Sequence, residues 1–277
     1  MECILENITV QYEVFGAGRP LIILPGWGGN TRETAFTMEP FLQPRPGWKR
    51  IYIDPPGHGK TPGQDWITNQ DKILEVVLAC IDRLTAGQRF SLAGISLGGY
   101  LARGVVLRRG ELIDGIAMLV PVIFAEDQRR SVPAHTVLVE DPAVAAELTS
   151  AEAEFFAISV IHSRAWLEIL RAFPQVPESE NGDPAFQARI RDNPRNYAFS
   201  FDVDDLPQPF PGPTLIITGR QDSIAGYQDA WNILDTYPRA SYVVLDRAGH
   251  MLEQTDALLH GLINNWLDRM ETGAGPG

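Results

Sequence analysis

Short runs of strand-forming residues alternate with segments of helical periodicity along most of this 277-residue chain, and no other feature restricts its fold as strongly. Apolar runs that return after intervening helices are typical of a mostly parallel sheet covered by helices on both faces. The predicted strands are Thr9–Phe15, Leu21–Leu24, Ile51–Ile53, Phe90–Ala93, Ile116–Val120, Leu215–Thr218 and Tyr242–Leu245. The sequence therefore predicts the α/β class.

Three segments between or after these strands carry one apolar face each. In Asp71–Leu84, apolar residues recur three, four, seven and eight positions apart, which is the spacing of a helix packed on a sheet. Gly98–Arg108 and Asp256–Arg269 follow the same pattern. We expect all three to be helices.

The alternation stops between Val122 and Phe210, and we call residues 122–210 the insertion. It contains no short β-branched run, and two helix-start signals, Asp141-Pro142 and the capping-box pattern Thr149 to Glu152, indicate helices. Its 15 acidic and 7 basic residues give it a net charge of −8. The sequence predicts a core domain made of residues 1–121 and 211–277, and a separate helical unit at 122–210.

The segment Gly94-Ile-Ser-Leu-Gly98 stands between a predicted strand and a predicted helix. This G-x-S-x-G pattern is typical of a nucleophile elbow, a turn so tight that the positions two before and two after the serine must be small. A glycine-rich turn that contains a serine by chance is the simpler alternative. The flanking strand and helix favour Ser96 as a nucleophile.

A serine nucleophile needs a histidine base, and five histidines are present. His250 follows the last predicted strand in a loop, so it belongs to the same carboxyl edge of the sheet as Ser96. His260 falls inside the helix that comes next, and His58 lies before the serine, whereas the order serine, acid, histidine is required. We therefore predict His250 as the base.

The acid that orients the base should come from another loop at this edge, between Ser96 and His250. Asp222 follows the strand Leu215–Thr218 and is the favoured candidate, although an aspartate in such a loop is usually a turn or capping residue. Asp246 ends a strand and is an alternative brace for the histidine loop.

Four further acidic residues fit less well. Asp229 and Asp235 fall in a segment interpreted as the helix after Asp222, away from the sheet edge. Glu126 and Asp127 lie after the preceding strand, and they represent a second possible origin of the acid.

The chain resembles the α/β-hydrolase superfamily over nearly its whole length. The resemblance rests on five motifs in order: Leu24-Pro-Gly-Trp-Gly-Gly29, Asp54-Pro-Pro-Gly-His-Gly59, Gly94-Ile-Ser-Leu-Gly98, Gly219-Arg-Gln-Asp222 and Gly249-His250. It implies a mostly parallel eight-stranded sheet flanked by helices, with residues 122–210 as a helical cap. It also implies an oxyanion hole formed by the backbone N–H groups of Trp27 and Leu97, and a structural role for the loop that holds His58.

One position departs from the family pattern. The first loop has Pro25-Gly26 where members often have His-Gly, which keeps the backbone donors but removes a common supporting side chain.

The resemblance implies a serine hydrolase acting on a small acyl substrate, with catalytic Ser96, Asp222 and His250 and with no metal or organic cofactor. Carboxylesters, lactones, thioesters and carbon–carbon cleavage of diketones remain open, and a serine argues against the dehalogenases and epoxide hydrolases of this fold. A ligand receptor built on the same scaffold, with slow or no turnover, is the alternative from a different class.

Net charge and cysteine content indicate which classes of partner are unfavourable and in which compartment we expect the protein. A net charge of −12 makes nucleic acid and anionic membrane surfaces poor partners. Cys3 and Cys80 are expected to be reduced thiols, and no secretory signal precedes them, so we expect a cytoplasmic protein. The sequence leaves the oligomeric state open.

Overall fold

The structure, a computed structural model, describes residues 1–177, 180–253 and 256–272. Its strands are β1 (Glu2–Ile4), β2 (Thr9–Phe15), β3 (Arg19–Leu24), β4 (Trp48–Ile53), β5 (Phe90–Ile95), β6 (Ile113–Leu119), β7 (Val139–Glu140), β8 (Ile161–His162), β9 (Thr214–Gly219) and β10 (Ala240–Leu245). Its helices are α1 (Thr31–Leu42), α2 (Gln70–Thr85), α3 (Leu97–Arg109), α4 (Pro142–Ala145), α5 (Ser150–Phe156), α6 (Arg164–Ala172), α7 (Pro184–Arg191), α8 (Pro194–Tyr197) and α9 (Asp256–Thr272).

Eight strands form one sheet in the order β1-β2-β4-β3-β5-β6-β9-β10. The pairs β1·β2 and β2·β4 are antiparallel, and every other pair is parallel. The predicted α/β class and the mostly parallel eight-stranded sheet are therefore confirmed. All seven strands predicted from apolar runs are present, and β1 was missed because it has only three residues, of which only Cys3 is buried.

The two faces of the sheet pack against different helices. In β3, Ile22 and Leu24 join the apolar cluster that includes residues of α2 and α3, whereas Leu21 and Ile23 join the cluster that includes residues of α1 and α9. Successive side chains of a strand point to opposite faces, so a strand buried on both sides must be apolar throughout. Each fully buried side chain of this kind contributes about 1.5–3 kcal/mol to folding.

The helices begin and end where local chemistry satisfies the backbone. The side chain of Asn69 accepts a hydrogen bond from the Lys72 N–H at the start of α2, and Ala86 ends the helix in the left-handed conformation. Helix α1 was not predicted, because its apolar face is interrupted by polar residues and it contains Pro40.

The insertion lies between β6 and β9, and its described residues include the α-helices α4–α8 and the parallel pair β7·β8. Asp141 caps α4, and Thr149 and Glu152 form the predicted capping box at α5. The two strands were not predicted, because two residues are too few to produce a periodic signal. The boundaries at 121/122 and 210/211 stay a prediction.

Three smaller findings complete the fold. A 3-10 helix covers Asp229–Ile233 and ends before Asp235, so the helix expected there is shorter than predicted. Cys3 and Cys80 are buried as free cysteines. Among the residues described, no helix has both the length and the apolar character needed to cross a bilayer.

Candidate active site

Ser96 occupies the sharp turn between β5 and α3, with φ +53° and ψ −114°. A φ in this range is uncommon for a residue with a side chain and is a recurring form of strain at active sites. The turn leaves no room beside it: a Cβ on Gly94 would lie 2.2 Å from the Gly98 carbonyl oxygen, and one on Gly98 would lie 2.2 Å from the Leu24 carbonyl oxygen. Both glycines are therefore required by sterics, as the G-x-S-x-G pattern predicts.

The structure brings Ser96, His250 and Asp222 into one hydrogen-bonded chain. His250 Nε2 lies 3.0 Å from the Ser96 Oγ, and His250 Nδ1 lies 2.9 Å from the Asp222 Oδ2. Because a carboxylate only accepts, Nδ1 carries the proton and donates to Asp222, which leaves the Nε2 lone pair facing the serine hydroxyl. This is the arrangement in which an imidazole removes a proton from a hydroxyl.

Backbone donors hold the Asp222 carboxylate in place. Its side chain is fully buried, and its Oδ1 accepts from the N–H groups of Ile224 at 2.8 Å and Ala225 at 2.9 Å. One oxygen is thus occupied by the loop after β9, and the other is left for His250. The carboxylate is oriented before any substrate arrives.

The loops that carry Asp222 and His250 are bonded to each other. Gln221 N–H donates to the Ala248 carbonyl at 3.0 Å, and a Cβ on Gly219 would lie 2.4 Å from the carbonyl oxygens of both Ala248 and Gly249. Such close backbone approach requires glycine at 219. The distance between Asp222 and His250 is therefore set by the ends of β9 and β10.

The alternative acids are engaged elsewhere. Glu126 pairs with Arg129, and Asp127 pairs with Arg191. Asp246 is exposed and takes part in the loop through its backbone carbonyl, which accepts from the Gln221 side chain at 3.1 Å. In the described part of the chain, none of these three carboxylates contacts His250.

The two backbone N–H groups predicted for an oxyanion hole, those of Trp27 and Leu97, flank Ser96. Leu97 directly follows Ser96, and the loop of Trp27 approaches so closely that a Cβ on Gly26 would lie 3.4 Å from the Ser96 Cβ. Within residues 1–177, 180–253 and 256–272, neither N–H donates to a protein acceptor. The Trp27 indole packs edge-on against the rings of His58 and Tyr197, at centroid distances of 5.0 and 5.1 Å.

The other histidines have different environments. His58 is buried, its Nδ1 lies 3.0 Å from the Pro56 carbonyl, and burial lowers its pKa to about 4 against the opposing effect of that hydrogen bond. His260 lies in α9 beside Phe41, and His135 and His162 bond to backbone carbonyls of the insertion. His58 is neutral at physiological pH and bonds within its own loop, as expected for a structural residue.

Sequence analysis missed one carboxylate beside the site. Glu253 is buried three positions after His250 and accepts a hydrogen bond from the Gly249 N–H at 2.9 Å. In the sequence, the buried position of Glu253 is indicated only by the two apolar residues before it, Met251 and Leu252. Within the described residues, no group of three or more His, Cys, Asp or Glu side chains is arranged to hold a metal ion.

Comparisons with known proteins identify the family of this fold. A family model described as "alpha/beta hydrolase fold" matches residues 19–253. Among curated proteins, the pimeloyl-[acyl-carrier protein] methyl ester esterase of Legionella pneumophila (strain Corby) is 24% identical, with 91% of this chain and 97% of that protein covered. The enzyme of the same name from Aeromonas salmonicida (strain A449) is 25% identical, with 88% of this chain and 92% of that protein covered.

Solved structures show the same fold. An alpha/beta superfamily hydrolase from Oenococcus oeni PSU-1 superposes with a TM-score of 0.85 at 25% identity, covering 98% of this chain and 99% of that one. A thermophilic esterase from Thermogutta terrifontis superposes with a TM-score of 0.65 at 19% identity, covering 95% of this chain and 94% of that one, and so supports the fold alone.

Proposed function

Because this chain belongs to the α/β-hydrolase family, we propose that it is a serine hydrolase that cleaves a small carboxylic ester through an acyl-enzyme on Ser96. The observation that carries the proposal is the continuous hydrogen-bonded chain from Asp222 through His250 to Ser96. The full-length similarity to curated esterases supports ester hydrolysis as the reaction class.

In the acylation step, the Ser96 Oγ attacks the ester carbonyl carbon while His250 Nε2 takes the hydroxyl proton. The imidazolium that forms is stabilised by the Asp222 carboxylate, and it then gives its proton to the departing alcohol oxygen. The carbon–oxygen bond to the alcohol breaks as the acyl group remains on Ser96.

The negative charge that develops on the carbonyl oxygen needs donors that are already in position. We assign this role to the Trp27 and Leu97 N–H groups, which flank Ser96 and have no acceptor in the described part of the chain. One such donor is worth about 3–4 kcal/mol of transition-state stabilisation. In the second half of the reaction, water attacks the acyl-enzyme with His250 again as base.

The substrate we propose is an ester of a small carboxylic acid with a short alcohol. The curated relatives are named for a methyl ester, which makes methyl esters the first alcohol to test. The net charge of −8 on the insertion disfavours anionic polymers as substrates. We also propose a cytoplasmic location, with neither nucleic acid nor membrane as partner, which subcellular fractionation tests.

A panel of esters with the Ser96→Ala variant as control tests the proposed function. It contains p-nitrophenyl and methyl esters of graded acyl length, including monomethyl pimelate, together with lactones, thioesters and diketones. We expect sustained turnover of at least about 1 s⁻¹ on an ester, within the usual range for enzymes. A stalled acyl-enzyme with no repeated turnover of any compound would favour the receptor alternative instead.

A further inference from the structure

Glu253 connects the loop of the predicted base to the insertion. The residue is 1% exposed, so its carboxylate is buried. Oε2 accepts from the N–H of Gly249, the residue before His250, at 2.9 Å, and Oε1 accepts from the N–H of Val160, just before β8, at 3.0 Å. A single side chain therefore links two backbone positions that are 89 residues apart in the sequence.

A buried carboxylate is costly unless hydrogen bonds replace its lost hydration. Glu253 has no Lys, Arg or His within ion-pair distance among the described residues, so the two backbone N–H groups are the bonds that offset this cost. An apolar side chain in the same space would avoid that cost but would leave both N–H groups buried without an acceptor. The carboxylate is thus suited to holding these two N–H groups in place rather than to packing alone.

The loop between His250 and Glu253 is folded back on itself. Leu252 has φ +51°, in the left-handed region that an L side chain rarely adopts, and its N–H lies 3.3 Å from the Gly249 carbonyl. A Cβ on Gly249 would lie 2.9 Å from the Val160 Cγ1 and 3.3 Å from the Glu253 Oε1. The backbone before His250, the Glu253 carboxylate and the insertion are therefore in direct contact.

From this contact we propose that Glu253 is a positioning residue for His250 and that it transmits the placement of the insertion at Val160 to the base. Asp222 orients the imidazole ring, and Glu253 holds the backbone from which the ring projects. If Val160 is displaced, the Glu253 carboxylate loses one of its two N–H donors. The carboxylate can then shift, and its hydrogen bond to Gly249 no longer fixes the backbone beside His250. The inference rests on the proposed function, in which His250 is the base.

The test compares Glu253→Gln with wild type and with Glu154→Gln, an identical change at an exposed glutamate of the insertion. Glutamine keeps the size but has one oxygen for the two N–H groups. We expect kcat to fall about 10- to 100-fold while KM changes less than about threefold, because a small displacement of a catalytic group mainly affects the chemical step. Labelling of Ser96 by a fluorophosphonate should slow by a similar factor, and Glu154→Gln should match wild type in both measurements.

A second variant, Val160→Pro, removes the N–H on the insertion side and keeps the Val160 carbonyl that bonds to Leu138. We expect kcat to fall in this variant as well. In the double variant, the fold-decrease in kcat should be smaller than the product of the two single decreases, because both substitutions break the same linkage. Near-UV circular dichroism checks that each variant is folded, and Val160→Pro remains informative if Glu253→Gln does not fold.

The possible failures can be told apart. Wild-type kcat and labelling rate in folded Glu253→Gln, or a change in KM alone, would overturn the positioning role. Wild-type kcat in Val160→Pro would overturn the link to the insertion. If the fluorophosphonate does not label Ser96 even in wild type, the proposed function itself fails.

Discussion

The Nε2 atom of His250 lies 3.0 Å from the Ser96 hydroxyl oxygen, although 154 positions separate the two residues in the chain. The sheet produces this proximity, because parallel strands β5 and β10 end at the same edge and each passes into a short loop there. The same edge receives Asp222 from β9. Three residues with no local relationship in the sequence thus form one chain of hydrogen bonds.

The first prediction concerns the acid. Asp222→Asn replaces a carboxylate, which only accepts, with an amide whose –NH2 can donate to Nδ1, so the wrong tautomer of His250 becomes possible and we expect kcat to fall about 10²- to 10⁴-fold. Asp246→Asn is the matched control, since Asp246 is exposed and contributes only its backbone carbonyl to the loop. Steady-state kinetics on the best ester of the panel measure both. A larger loss from Asp246→Asn, Glu126→Gln or Asp127→Asn would show that another residue is the acid.

The second prediction concerns the base, which accepts a proton only when it is neutral. We expect kcat/KM to rise with pH, and His250→Ala to remove that rise together with most activity. His58 cannot be the origin of the rise, because burial lowers its pKa to about 4. His260→Ala, with its ring beside Phe41 in α9, is the control and should behave as wild type. If His58→Gln or His260→Ala is inactive while folded and His250→Ala is active, the assignment is wrong.

The third prediction concerns the contribution of His58 to the pH dependence of the free energy of unfolding. Its pKa of about 4 in the folded protein lies below the value of about 6.5 expected in the unfolded chain. The unfolded state therefore binds more protons between these values, so the contribution of His58 is complete above about pH 6.5 and is lost as pH falls toward 4. We expect the free energy of unfolding of wild type to fall about 3 kcal/mol more than that of His58→Gln between pH 7 and pH 4. Urea unfolding at the two pH values measures this, and equal decreases in the two proteins would contradict it.

The fourth prediction concerns a buried ion pair between α3 and the end of the insertion. Arg103 is 1% exposed, and its guanidinium pairs with the Asp204 carboxylate and also donates to the Ile123 carbonyl at 2.9 Å. Asp204→Asn leaves the arginine charge buried without its partner, and we expect a loss of about 2–4 kcal/mol, reduced because Asp204 is 21% exposed. Asp205→Asn, at an exposed neighbour, is the control for thermal and urea unfolding. Equal stability of the two variants would show that the pair contributes little.

Much of the fold could be predicted because its signals are local. A strand buried on both faces must be apolar throughout, as in Leu21–Leu24, and a G-x-S-x-G turn allows only small residues at Gly94 and Gly98. The order of the elements then placed Ser96, Asp222 and His250 at one edge without any knowledge of distances. The resemblance to α/β hydrolases is confirmed by the family match over residues 19–253.

The remaining features depend on contacts between distant segments. Position in the sequence favours Asp222 over Glu126 and Asp127, but the 2.9 Å approach of its carboxylate to His250 and the pairing of Asp127 with the distant Arg191 appear only in the structure. Glu253 acquires its partners only when its loop folds back and Val160 approaches from the insertion. Strands of two or three residues, such as β1, are stabilised by their neighbours rather than by their own composition.

The role of Ser96 as the nucleophile is tested by titrating the enzyme with a fluorophosphonate while following hydrolysis of the best ester of the panel. Intact-protein mass and peptide mapping give the fraction of Ser96 that carries the phosphonyl group at each point. We predict one adduct per chain, on Ser96, with activity falling in proportion to labelling, and no adduct and a loss of at least about 10³-fold in kcat for folded Ser96→Ala. Hydrolysis that continues at the wild-type rate after Ser96 is fully labelled, or in folded Ser96→Ala, would contradict the mechanism.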